Sequence, residues 1–298
     1  MIDTAWDEYR GWAARARALQ TASQRWNTAA LASAGAAAAL GAAAIQFSSY
    51  PRAMQALSLL SALAAGAVPF LGKEILTSGA EAKWIRARAT AEAIKSECYR
   101  YAARAGAYAG PDADEVFEQH RDALGQAAAK AGLLSLRDPV DAKGDKRRPP
   151  DRFDAAWYDT YRIKDQIDYY DKKTIEHEAA ANRLRWLSFT ASGVAALFGV
   201  AGAAFQAAFA PWIGVLTTIA TAIAAQGLMG RRQQLAASYS AMAESLRRIR
   251  DRIDKMNLPD LVTRTEDLME SEHAAWIENM TKTIPAPPVV KKVEAQGG

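Results

Sequence analysis

The chain has 298 residues, half of them hydrophobic, a net charge of +4 and a single cysteine. That length allows one or two domains with a substantial core. The lone Cys98 excludes an internal disulfide framework and a cysteine-rich metal site, and reads as reduced helix packing. The small net charge gives no ground for binding a nucleic-acid duplex, which requires clustered Lys and Arg.

Charge is segregated along the chain. Between Trp26 and Gly72 the only charged residue is Arg52, and from Trp186 through Gly230 there is no Asp, Glu, Lys or Arg. The first 25 residues contain Asp3, Asp7 and Glu8, unlike the short positive start of a cleavable secretion signal. A bilayer core takes about 20 helical residues at a rise of about 1.5 Å each. Four windows of that length occur, at about 26–47, 53–71, 186–208 and 212–229, paired by turns at Pro51 and Pro211. The first window is rich in alanine, which favours helix more than lipid, so it is expected to insert as a hairpin with the Leu-richer second. A soluble bundle of fully buried helices is the alternative, and the uncharged length of 186–230 argues against it.

Between the hairpins, "AEAKWIRARATAEAIKSECYRYAARAGAY" and "FDAAWYDTYRIKDQIDYYDKKTIEHEAAANRLRW" lack internal Pro and predict long helices outside the membrane. If residues 155–185 run straight into the third span, that helix extends about 45 Å beyond the bilayer. The Pro-rich, charged stretch 136–154 reads as an exposed linker. The expected organisation is a first hairpin with flanking helices over 1–135, the linker, a second hairpin unit over 155–256, a helical segment over 257–284 and a disordered tail over 285–298. The fold class is all-α: an integral membrane protein with two transmembrane hairpins and long cytoplasmic helices.

Lys and Arg flank the spans mainly on one side, the two opposite turns carrying only Arg52. Arg10, Arg15, Arg17 and Arg25 precede the first, Lys73 and Lys83 follow the second, Lys172, Lys173, Arg183 and Arg185 precede the third, and Arg231 and Arg232 follow the fourth. By the positive-inside rule both termini and the middle segment are cytoplasmic.

The hairpins repeat. "RWNTAALASAGAAAALGAAAIQ" (25–46) aligns without a gap on "RWLSFTASGVAALFGVAGAAFQ" (185–206), framed by Arg-Trp and by Gln. Arg25, Trp26, Arg185 and Trp186 suit the membrane interface, where Arg reaches headgroups and Trp prefers the boundary. "DEYR" (7–10) corresponds to "DTYR" (159–162), and "AEAIK" (91–95) to "AESLR" (243–247).

At these residues the chain resembles the SLATT family, the SMODS- and SLOG-associating two-transmembrane effector domains of bacterial conflict systems, in two tandem copies. The resemblance is carried by "DEYRGWAARA" with Trp84, Arg88, Ala91, Glu92 and Tyr99 in the first copy, and by Gln166, Tyr169, Tyr170, Asp171 and Lys172 in the second. It implies a non-enzymatic effector of the bacterial inner membrane. Such an effector oligomerises to permeabilise the bilayer when a nucleotide-signalling or sensor partner activates it. A constitutive channel or transporter subunit, or a non-conducting membrane scaffold, stays open as an alternative.

Candidate working residues fall into two groups. Gln46, Gln206, Thr217, Thr221 and Gln226 are polar positions within the spans that could line a pore. Thr in a membrane helix also bonds its own backbone four residues back. Arg88, Glu92 and Glu244 are candidates for an interhelical or gating ion pair; a local pair of Arg88 with Glu92, one turn apart, is the plainer reading. No catalytic motif, metal set or phosphate-cradling glycine loop occurs: His120, His177 and His273 are far apart, and "IEHEAA" lacks the second His of a zinc protease helix. No cofactor is expected.

Overall fold

The computed structural model describes residues 1–78, 80–130, 132–134, 145–205, 211–217 and 228–281, with side chains except at 72–78, 80–81, 202–205, 228–231 and 279–281. Among the described residues every regular element is a helix, as composition and periodicity predict. In chain order these are α1 (Ile2–Gln46), α2 (Pro51–Ser78), α3 (Ala80–Ala102), α4 (Ala113–Lys130), α5 (Ala155–Tyr158), α6 (Lys164–Phe205), α7 (Leu228–Arg250) and α8 (Leu258–Thr281). Residues 211–217 are also helical.

Local chemistry sets the boundaries. Pro51 opens α2, where its missing N–H is no loss. The Asp154 carboxylate accepts from the Trp157 amide at 2.8 Å and caps α5. Asn257 does the same for α8, accepting from the Asp260 amide at 2.8 Å. Helix α4 ends at Gly132, which takes the left-handed conformation (φ 71°) while the Leu133 amide reaches back to the Ala128 carbonyl at 3.1 Å. Helix α3 ends the same way at Arg104 (φ 53°), with the Ala105 amide bonded to the Arg100 carbonyl at 2.9 Å.

The chain forms two compact units. The first takes in residues 1–21, 80–165 and 246–298. Within it α3 packs on α4 and α8, over a core of fully buried Trp6, Ile85, Ile94, Tyr99, Tyr108, Phe117 and Leu261. The linker expected to be exposed is so at Lys146, Arg147, Asp151, Arg152 and Asp154, but its described end is also anchored to the core. Pro149 is buried, Phe153 stacks on Tyr158 at 5.7 Å, and the Arg147 carbonyl accepts from the Tyr99 hydroxyl at 2.6 Å. A Pro-rich segment loses little backbone freedom on ordering, and an aromatic surface was waiting for it.

The second unit takes in residues 22–79 and 166–245. Here the Ser61 hydroxyl donates to the Ala37 carbonyl at 2.8 Å and ties α2 to α1, while Tyr170 and Tyr239 join α6 to α7 with ring centroids 5.7 Å apart. Among the described residues three helical stretches, Ile2–Gln46, Pro51–Leu71 and Ala155–Ala201, are long and apolar enough to cross a membrane; only 11%, 0% and 6% of their most apolar windows are buried. Leu63, Phe70, Trp186, Phe189, Leu197 and Val200 are all exposed. Each such side chain gains about 1.5–3 kcal/mol on leaving water, so these faces are built for lipid. Positions 206–208 and 218–227 of the expected third and fourth spans lie outside the described residues.

Candidate functional site

The most organised chemistry lies in the first unit, where "DTYR" meets the C-terminal helix. Arg162 donates from Nε to one Glu266 oxygen at 2.8 Å and from Nη2 to the other at 2.7 Å. Both side chains are almost completely buried. The Tyr158 hydroxyl adds a third bond to Glu266 at 2.7 Å. The remaining Arg162 nitrogen, Nη1, has no hydrogen-bond partner among the described residues; the guanidinium instead lies 4.7 Å from the Tyr99 ring. Burial pushes the Arg162 pKa down, but Glu266 more than offsets this and holds the guanidinium charged.

The backbone beneath this pair is unusual. Residues Asp159–Ile163 form a π-helical turn, closed by the Lys164 amide donating to the Asp159 carbonyl five residues back. Asp159 is itself gripped from α7: Arg250 donates to its two oxygens at 2.7 and 3.0 Å. Trp6 and Tyr158, at corresponding places before "DEYR" and "DTYR", both pack on Tyr99, at 5.9 and 5.7 Å.

A second cluster surrounds Glu92. This half-buried carboxylate pairs with Lys95 at 3.6 Å, and Arg88 lies over the Trp276 ring at 4.8 Å. Burial raises the Glu92 pKa, yet Lys95, Arg162 and Arg88 together outweigh it and hold it at about 2. His273 stacks on Trp276 at 5.5 Å, and burial pushes its pKa down to about 4. Arg88 and Glu92 are thus brought together with α8, which the sequence did not point to. Glu244 belongs to the second unit, where it lines a groove of about 670 Å³ between α6 and α7 with Glu178, Asn182 and Ser240.

Of the pore-lining candidates, Gln46 is exposed at the end of α1. Thr217 turns its hydroxyl to its own helix, donating to the Ile213 carbonyl at 2.9 Å. Gln206, Thr221 and Gln226 lie outside the described residues. The interface candidates Arg25, Trp26, Arg185 and Trp186 are all exposed. Cys98 is fully buried and burial raises its pKa, which removes the thiolate that reactivity needs. Sequence reasoning missed Tyr158 and Glu266 as partners. The available signal was Arg162, a cation in a repeated motif at the start of a long helix.

Tyr158 stands at the edge of a family match that also takes in Arg162 and Glu266. Residues 158–276 match the SMODS and SLOG-associating 2TM effector domain 1. That SLATT match starts at Tyr158 and ends at Trp276, so it encloses the buried ion pair, the π-turn and the third span. Residues 10–115 match a different family, described as Protein of unknown function (DUF4231); this region holds the first hairpin, Glu92 and Tyr99. No curated protein and no solved structure matches the chain. The lipid-facing helices mark this as a membrane protein, and its segment 158–276 is similar to a 2TM effector domain.

Proposed function

We propose that the protein is a non-enzymatic effector that sits in the bacterial inner membrane as two tandem hairpin units and permeabilises it on activation. The observation that carries this reading is the match of 158–276 to a 2TM effector domain on a helix whose apolar face is left open to lipid. The placement of Lys and Arg supports cytoplasmic termini. The corresponding packing of Trp6 and Tyr158 on Tyr99 supports treating the hairpins as duplicated.

Oligomerisation belongs to the same reading. On this reading four Ala-rich helices from one chain would cluster with little lumen, so conduction requires several copies. No cofactor is part of the reading; activation comes from a nucleotide-signalling or sensor partner. The test is membrane potential in cells expressing the chain with and without its genomic neighbours. Depolarisation that depends on a neighbouring signal supports a gated effector. Depolarisation without any signal points to a constitutive channel, and none under any condition to a non-conducting scaffold.

A further inference from the structure

The π-helical turn is placed where a change of register would be passed directly into a membrane span. A π-turn is an α-helical turn with one extra residue; such turns are rare and concentrate at functional sites. This one is clamped on two sides. Arg250 of α7 holds Asp159 at its first position, and Glu266 of α8 holds Arg162 near its end while also accepting from Tyr158 just before it. Helix α6 then runs without interruption from Lys164 to Phe205.

We propose that α8 is a latch: Glu266 keeps the turn Asp159–Ile163 in its π form, and release of Glu266 lets it wind as α-helix and turn α6 by one residue. Winding the extra residue into α-helix rotates everything downstream by about 100° and moves it about 1.5 Å along the axis. In that register Asp159 and Arg162 project at a different angle to each other, so the Arg250 and Glu266 contacts are not both kept. The two clamps therefore define one state, and losing one favours leaving it. Helix α8 is tied to the same unit through Arg100, which pairs with Asp267 at 2.9 Å and Glu270 at 3.0 Å. A pull on this helix therefore acts on Glu266 and its neighbours together. The rotation is carried by the continuity of α6 and also breaks the Tyr170–Tyr239 contact with α7; its link to membrane opening rests on the function proposed above.

The test is a nitroxide scan of single cysteines at positions 187–200 in the full chain, reconstituted in lipid, with oxygen accessibility as the readout. Cys98 is fully buried and stays unlabelled. In Glu266→Gln the accessibility pattern is expected to shift by one residue relative to wild type. Deletion of Thr160, which removes the extra residue of the turn, is expected to give the same shift. An unshifted pattern in folded Glu266→Gln overturns the latch. If that variant does not fold, Asp159→Asn, which opens the more exposed clamp, is expected to give the same shift, and an unshifted pattern there overturns the latch equally. Dye release from the same vesicles separates the two ideas: a shift without release leaves the latch and counts against permeabilisation, whereas release without a shift does the reverse.

Discussion

Arg162 and Glu266, 104 positions apart, form a two-point ion pair inside the first unit, with Tyr158 bonded to the same carboxylate and the Tyr99 ring beneath the guanidinium. A buried pair contributes little net stability compared with apolar packing, but removing one partner strands the other's charge. Glu266→Ala is therefore expected to cost about 3–5 kcal/mol, read as a lowered unfolding midpoint in detergent. Arg162→Leu combined with Glu266→Ala is expected to recover much of that loss.

The Glu92 cluster gives stability a two-step dependence on pH. His273 has its pKa lowered from 6.5 to about 4, so between those values the unfolded chain binds a proton that the folded one refuses. Stability is then full above about pH 6.5 and falls as pH drops towards 4. Glu92 is lowered from 4.5 to about 2; its contribution is present above 4.5 and is lost as pH falls through that window to 2. His273→Phe is expected to flatten the upper step and Glu92→Gln the lower, measured as unfolding midpoint against pH.

The first hairpin is held by a close approach of helices. A Cβ on Gly41 would stand 3.3 Å from the Ser61 hydroxyl oxygen, which donates to Ala37. Gly41→Val is expected to destabilise the hairpin by about 1–3 kcal/mol through overpacking, and Ser61→Ala by about 0.6 kcal/mol, the usual worth of an interhelical bond in lipid. Unfolding in detergent micelles reads both, and equal effects would argue against close packing at Gly41.

Leu197 is 69% exposed on the apolar face of α6. Arg at the centre of a span costs about 2.5–3.5 kcal/mol for insertion, so Leu197→Arg is expected to increase the fraction released by alkaline extraction. The same change on a water-facing helix would leave extraction unaltered.

Much of the fold follows from the local pattern of the chain. Uncharged runs mark α1, α2 and α6, because lipid length and apolar character are properties of contiguous residues. The site was less legible. Arg162 stands out in "DTYR", but Glu266 sits in an ordinary amphipathic segment, and only folding brings α8 to it. The π-turn has no sequence mark, since it depends on Arg250 and Glu266 arriving from elsewhere. Glu92 forms a salt bridge with Lys95 at 3.6 Å and also feels the charge of Arg88 one turn away; what the local sequence did not show is that the Arg88 guanidinium lies over Trp276, a ring from the distant α8.

Release of a trapped dye from liposomes carrying the purified chain, with and without cyclic nucleotides, oligonucleotides or proteins encoded beside it, tests the central claim most directly. A gated effector is expected to hold the dye until one of these is added and then to release it. Retention of dye with every addition, from vesicles in which insertion has been verified by alkaline extraction, would contradict the account.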